Sequence, residues 1–323
     1  MQQELEHIRR PVVEELDIFD ARYSAILSSN VAHLHQITTQ ILAQRGKQIR
    51  PLLVLLSAKL FGPVTEKTYI GAALIELLHN ATLIHDDIVD EADERRGSPS
   101  LHTLWGNKSA VLAGDFLLSK GLSLAVDTGS FDLLGNGCRS VQELIEGEML
   151  QEEASQHLNI TEPLYFEIIR KKTATLFANC TENGAIAAGA TREQTDRLRH
   201  YGECLGMAFQ IRDDIFDFQP KGEIGKPTGN DIREKKITLP LIYALSKTTP
   251  DLRAALLSQI AGNNPDAVKS GWELVEKTGG IAYAEEVMAS YQHQALRWLE
   301  TLPSSEACVA LQRLTAYIAR RNS

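Results

Sequence analysis

From Glu66 to Asp90 the apolar residues Ile70, Ala73, Leu74, Leu77, Leu78, Ala81 and Ile84 recur at three- and four-residue spacing, the signature of one helix face. The same period returns along nearly the whole chain. It predicts further helices at about 3–28, 31–44, 51–60, 108–127, 131–156, 164–188, 191–218, 238–247, 251–260, 265–277, 280–300 and 304–320. Start signals agree with several of them. Thr65 is a candidate N-cap after the Gly62-Pro63 break, Thr161 and Pro163 open the next long run, and Thr191-x-x-Gln194 fits a capping box. No alternating run is long enough to read as a strand. Helices with one apolar face must bury those faces on one another, so the expected fold class is all-α. No linker rich in Gly, Ser or Pro divides the chain and no repeat of domain-array length is visible, so a single domain over 1–323 is expected.

Composition removes other classes. Gly and Pro, 22 and 11 of 323 residues, are too few for a loop-rich β-sandwich or a collagenous chain. Thirty-three basic against 42 acidic residues give a formal charge of −9, so nucleic acid is not an expected partner. Cys138, Cys180, Cys204 and Cys308 show no CxxC and no regular spacing, which reads as reduced thiols in a cytoplasmic protein. The first residues lack the apolar region of a signal peptide, and no apolar run approaches the ~20 residues needed to span a bilayer.

Two acidic clusters interrupt the helical pattern. Asp86, Asp87 and Asp90 end one predicted helix, and Asp213, Asp214 and Asp217 lie near the end of another. Within each cluster the residues four apart share a helix face, where like charges repel, and carboxylates near a helix C-terminus also oppose its dipole. A hard divalent cation offsets both costs, and an all-oxygen ligand set selects Mg²⁺ or Mn²⁺ over zinc. One such cluster in an acidic protein is as readily a solvated face. Two in the same helical context, each followed by a charged loop containing Gly, favour metal. The EF-hand ladder is missing, and His85-Asp86 lacks the partner histidines of a metal-dependent phosphohydrolase. Mg²⁺ held by few carboxylates completes its shell with water and substrate phosphate, so a diphosphate shared between the clusters is expected. Basic residues suited to it flank the clusters: Lys47 and Arg50, Arg95 and Arg96, Lys171 and Lys172, and Lys226, Lys235 and Lys236.

These residues closely resemble the trans-type isoprenyl (polyprenyl) diphosphate synthases, of the long-chain type. The matching stretches are RGKQIRP at 45–51, LLHNATLIHDDIVDEADERRG at 77–97, GDFLLSKG at 114–121, KT at 172–173, GMAFQIRDDIFDF at 206–218 and GKPTGNDIREKKITLP at 225–240. The resemblance implies an all-α bundle around a central apolar cavity, as a homodimer. It implies that Lys47, Arg50, His79 and Arg96 hold isopentenyl diphosphate. Asp86, Asp90 and Asp213 would carry metals, with Asp87, Asp214 and Asp217 binding directly or through water. Arg95, Lys172, Thr173, Gln210, Lys226 and Lys236 resemble the groups around the allylic diphosphate, and of these Arg95, Lys172, Thr173 and Gln210 are the catalytic set. Three Mg²⁺ ions are implied, with Mn²⁺ able to substitute. Two departures stand out: Arg45 replaces the usual Gly before the Gly-Lys pair, and Lys235 replaces a Gly common before the final lysine.

The chemistry implied is condensation of isopentenyl diphosphate with an allylic diphosphate primer, giving a lipophilic all-trans polyprenyl diphosphate. Mg²⁺ and cationic side chains would neutralise the departing diphosphate, apolar walls would exclude water, and proton loss to the released diphosphate would need no Ser-His-Asp or Cys-His set. The alternatives are a short-chain farnesyl or geranylgeranyl synthase and a non-catalytic subunit of a heteromeric synthase. A terpene cyclase and a head-to-head synthase match the second cluster poorly. For chain length, the residues before Asp86 act as a ruler. Ala81 and Thr82 are small, and Leu78 and Leu77 lie about one turn deeper, roughly 5 Å or one isoprene unit. Short-chain family members often carry aromatics near Ala81, so a product of about C30 to C40 is expected.

Overall fold

The structure is a computed structural model that describes residues 2–44, 46–95, 97–218 and 229–320. Its first part runs through α1 (Gln2–Arg9), a 3₁₀ turn (Arg10–Val12), α2 (Val13–Ile26), α3 (Ala32–Ala43), α4 (Ile49–Lys59) and α5 (Glu66–Val89). Strands β1 (Glu94–Arg95) and β2 (Ser98–Pro99) then form an antiparallel hairpin, with Glu94 opposite Pro99. Next come α6 (Leu101–Trp105), α7 (Asn107–Asp127), α8 (Phe131–His157), α9 (Glu162–Ile169), a π-helical turn (Arg170–Ala174), α10 (Thr175–Ala187) and α11 (Arg192–Asp217). The chain finishes with α12 (Asn230–Arg233), α13 (Leu239–Ser246), α14 (Pro250–Ala261), α15 (Ala267–Thr278), α16 (Gly280–Leu299) and α17 (Glu306–Arg320). The all-α expectation holds.

The departures from the predicted helices have local causes. Pro11 lacks an N–H and crowds the preceding turn, so the helix expected over 3–28 is divided at Arg10–Val12. The run over 164–188 is continuous in direction but widens by one residue at Arg170–Ala174. Short elements, the β1–β2 hairpin, α6 and α12, occupy stretches read as irregular. The caps follow the sequence signals. The Thr191 backbone N–H donates to Gln194 Oε1 at 2.9 Å, and the Gln194 N–H donates back to Thr191 Oγ1 at 3.3 Å. Thr65 caps α5 with its backbone N–H donating to Thr68 Oγ1 at 3.1 Å.

Helix α10 forms the axis. It packs on α4, α5, α8 and α11, and it is buried on most sides, with Asn179, Thr181 and Asn183 buried among its apolar residues. The close approaches depend on glycine. A Cβ on Gly184 of α10 would stand 2.3 Å from the Val54 carbonyl oxygen of α4, so those two backbones nearly touch. Helix α4 is in turn buried from Pro51 to Ala58. On the other side, α5 lies against α7 and α8. Leu77 and Ala81 are fully buried in the large cluster with α4 and α7 residues, whereas Leu78 joins Leu74 and Leu133 in a smaller one. Leu78 is turned toward α8, where its Cδ1 lies 2.9 Å from the position a Cβ on Gly137 would take.

One sequence expectation needs correction. Helix α7 is long and apolar enough, by length and composition, to cross a membrane, and only 33% of its most apolar stretch is buried. Asp115 and Lys120 interrupt the run, so it does not read as continuously apolar in the sequence. Val111, Leu112, Leu122 and Val126 of α7 are exposed, as are Phe131, Ile145 and Met149 along α8.

Candidate active site

The ends of α5 and α11 carry the two acidic clusters, and Lys172 and Lys236 lie near residues of the first. Asp86 is half-buried in the last turn of α5, and its carboxyl is pushed up to about 6 by burial and by Glu148, with Lys172 opposing. Asp87 is buried and accepts a bond from Arg95 Nε at 2.5 Å, which ties β1 back onto the helix end. Asp90 caps the helix, exposed, with Lys236 Nζ 4.0 Å from its Oδ2. That contact spans the two halves of the site, because Lys236 follows the second cluster.

On α11, Asp214 is buried and both its oxygens accept bonds: Oδ1 from Gln210 Nε2 at 2.9 Å and Oδ2 from Tyr165 Oη at 2.5 Å. Burial raises its carboxyl, those two donors pull it down, and Asp213 and Asp217 push it up. Asp217 accepts from the backbone N–H groups of Asn230 at 2.9 Å and Asp231 at 3.2 Å, which sets the start of α12 against the end of α11. Burial raises Asp217, with these backbone donors opposing. Asp231 lies beside Asp214 and Asp217, and burial, then these two carboxylates, hold it far above the usual range.

Beside the second cluster sits a cavity of about 170 Å³, lined by Gln151, Tyr165, Lys172, Thr173, Gln210, Asp214, Asp231 and Lys236 among others. Lys172 Nζ donates to Glu148 at 2.7 Å and to Gln151 Oε1 at 3.3 Å. Thr173 Oγ1 donates to Gln210 Oε1 at 2.7 Å. Lys236 Nζ is 2.8 Å from Glu234.

The remaining basic candidates occupy a second region. The Arg50 guanidinium lies 5.9 Å over the Phe177 ring, and Phe177 packs on Phe209, the residue before Gln210, at 4.9 Å between centroids. His79 is buried on α5, with its carbonyl accepting from Thr82 Oγ1 at 2.9 Å. Lys47 is exposed ahead of α4, and its carbonyl accepts from Arg9 at 2.7 Å. Thus Arg50 lies over Phe177, outside the cavity lining, whereas Lys172, Thr173, Gln210 and Lys236 line the cavity. Arg96 and Lys226 lie outside the described residues.

Among the described residues no three acidic, histidine or cysteine side chains converge closely enough to chelate an ion unaided. The donor chemistry nonetheless fits Mg²⁺. All the donors are oxygens, and burial, then the neighbouring Glu148 and Asp90 carboxylates, raise Asp86 despite Lys172. His85 faces away, 3.7 Å from Asp115 and packed over Gly114, so it joins no ligand set here.

Sequence reasoning missed Glu148, Gln151, Tyr165 and Asp231. Glu148 and Gln151 share a face of α8 but hide among Glu146, Glu152 and Glu153. Tyr165 precedes Lys172 by two turns, and only the helix register reveals the pairing. Asp231 was within a matched stretch but offered no DDxxD spacing.

Comparison with known proteins gives the same picture. The polyprenyl synthetase family model matches residues 31–277. The all-trans-nonaprenyl-diphosphate synthase (geranyl-diphosphate specific) of Rhodobacter capsulatus is 37% identical over 310 residues, covering 95% of both chains. A short chain isoprenyl diphosphate synthase of Methanothermobacter thermautotrophicus is 36% identical, over 89% of this chain and 90% of its own. The crystal structure of a decaprenyl diphosphate synthase from Rhodobacter capsulatus superimposes with a TM-score of 0.93 at 34% identity, covering 99% of each chain. The chain belongs to the polyprenyl synthetase family of prenyltransferases.

Proposed function

We propose that this enzyme condenses isopentenyl diphosphate with an allylic diphosphate, repeatedly, to give an all-trans polyprenyl diphosphate of about C30 to C40. The observation that carries the reading is a cavity lined by Lys172, Thr173, Gln210, Asp214 and Lys236, from which Lys236 reaches Asp90 of the first cluster at 4.0 Å and Lys172 acts on Asp86. Mg²⁺, three ions by resemblance, would be held by Asp86, Asp90 and Asp213, with Asp217 close by. When bound it supplies Lewis-acid neutralisation of the leaving diphosphate. Asp214 and Asp87 act one step back in this reading, since each already accepts a short bond from the protein.

The chain's own groups do the rest. Lys172, Thr173, Gln210 and Lys236 bind the allylic diphosphate, and Lys226 joins them by sequence. Arg95 orients Asp87 and so the end of α5. Arg50, stacked on Phe177, holds isopentenyl diphosphate, joined by sequence by Lys47, His79 and Arg96, so its alkene meets the allylic carbon in fixed geometry. The buried wall of Leu77 and Ala81 keeps water from the cationic carbon.

A homodimer accounts for the apolar stripe of Phe131, Ile145 and Met149 on α8 beside the exposed residues of α7, since monomers rarely leave such a patch open. Covering α7 in this way also removes any need for membrane insertion, consistent with a cytoplasmic enzyme organised as one domain over 1–323. Incubation of purified protein with Mg²⁺, isopentenyl diphosphate and an allylic primer, followed by chromatography of the dephosphorylated products, tests the reading. All-trans polyprenols are expected. A folded protein that forms no condensation product refutes it, and a C15 or C20 limit would favour the short-chain alternative.

A further inference from the structure

The segment Arg170–Ala174 departs from α-helical register, with the Thr175 N–H donating to the Arg170 carbonyl five residues back. Such wide turns are rare and gather at functional sites. This one carries Lys172 and Thr173, and two neighbouring helices are shaped to receive it. A Cβ on Gly147 of α8 would lie 2.9 Å from the Lys172 backbone nitrogen, and one on Gly206 of α11 would lie 2.5 Å from Ala174 Cα.

Polar bonds pin the segment from either side to the same two residues of α11. Within the turn, Thr173 Oγ1 donates to Gln210 Oε1 at 2.7 Å. Gln210 Nε2 donates to Asp214 Oδ1 at 2.9 Å. Ahead of the turn, Tyr165 Oη donates to Asp214 Oδ2 at 2.5 Å. Tyr165 is 3% exposed and Asp214 5%, and both line the cavity, so the bond is made at the wall of the diphosphate site.

We propose that Tyr165 is a positioning residue that fixes the register of this wide turn, and with it the place of Lys172 and Thr173. It acts through Asp214 and Gln210 and not on the substrate. The proposal rests on reading the cavity as the allylic diphosphate site. It differs from a role in stability alone, because it assigns the effect of one hydroxyl to one of two substrates.

The test is Tyr165→Phe, which keeps the ring and removes the donor. At saturating Mg²⁺ the allylic kcat/KM should fall about tenfold, the scale of one buried bond to a charged group, while the KM for isopentenyl diphosphate moves less than about twofold. Amide hydrogen exchange should accelerate over 166–176 and not across α13. Unchanged allylic kinetics overturn the proposal. So does an equal loss for both substrates, exchange raised uniformly over the helices, or a defect that vanishes when Mg²⁺ is raised further. Should the variant not stay folded at the assay temperature, Thr173→Ser against Thr173→Val carries the test. Serine keeps the donor to Gln210 and should retain slow exchange over 166–176, whereas valine should accelerate it there and not across α13, and equal exchange overturns the proposal. Wild-type protein without condensation activity would remove the functional reading alone, because the exchange comparison still tests the clamp.

Discussion

Ala81→Phe asks whether α5 is the ruler for product length. Ala81 is fully buried in the same apolar cluster as Leu77, five residues before Asp86. At ~1.5 Å per residue it stands about 7.5 Å along the helix from Asp86. The whole of α5 back to Glu66 offers about 30 Å, room for about six isoprene units of ~5 Å, which matches the low end of the proposed range. A phenyl ring at Ala81 would close that path after the first units, so the product should shorten to about C15 to C20. Overpacking the helix interface should cost about 1–3 kcal/mol and lower the melting temperature by a few degrees, which a bundle of this size survives. The assay is reversed-phase chromatography of dephosphorylated products, with the rate of the first condensation measured separately. That rate should stay near wild type, because the ring lies beyond the diphosphate pocket. Leu77→Phe, one turn deeper, should give an intermediate length. An unchanged distribution from an active Ala81→Phe enzyme would show that the tail leaves along another face.

Two further outcomes follow from the site. Asp86 has its carboxyl raised to about 6, so in Mg²⁺-free buffer the folded state holds a proton that the unfolded state releases, and stability falls as pH rises from about 4 to 6. Asp86→Asn should flatten that slope and exceed wild type by up to about 3 kcal/mol at neutral pH; a variant less stable than wild type at pH ~7 in thermal denaturation would contradict the account. Arg96→Ala should raise the KM for isopentenyl diphosphate more than that for the allylic primer, and equal losses in steady-state kinetics would mean the two diphosphate sites are misdivided.

Much of this was legible in the sequence because it depends on local rules. The three- and four-residue spacing located the long helices, Thr191 and Gln194 announced a capping box that forms, and the aspartate clusters fall at helix ends as expected. What stayed hidden depends on neighbours. The wide turn at Arg170–Ala174 leaves the apolar pattern almost unchanged, and its seat is made by Gly147 and Gly206, far away in sequence. Arg95 reads as a phosphate ligand because it follows an acidic cluster, yet in the fold it bonds Asp87. Glu148 was one acid among several on α8 until packing set it beside Lys172. The outward apolar stripe of α7 and α8 could not be told from core by periodicity, since both faces of α7 are largely apolar.

The central claim is that the two acidic clusters work together on one diphosphate through metal. Turnover of labelled isopentenyl diphosphate by Asp86→Ala and by Asp213→Ala, each at saturating Mg²⁺ and each checked for folding by circular dichroism, tests it most directly. Both variants should remain folded, because repulsion within each cluster is relieved, and both should lose turnover. Near-wild-type turnover in either variant would contradict the account.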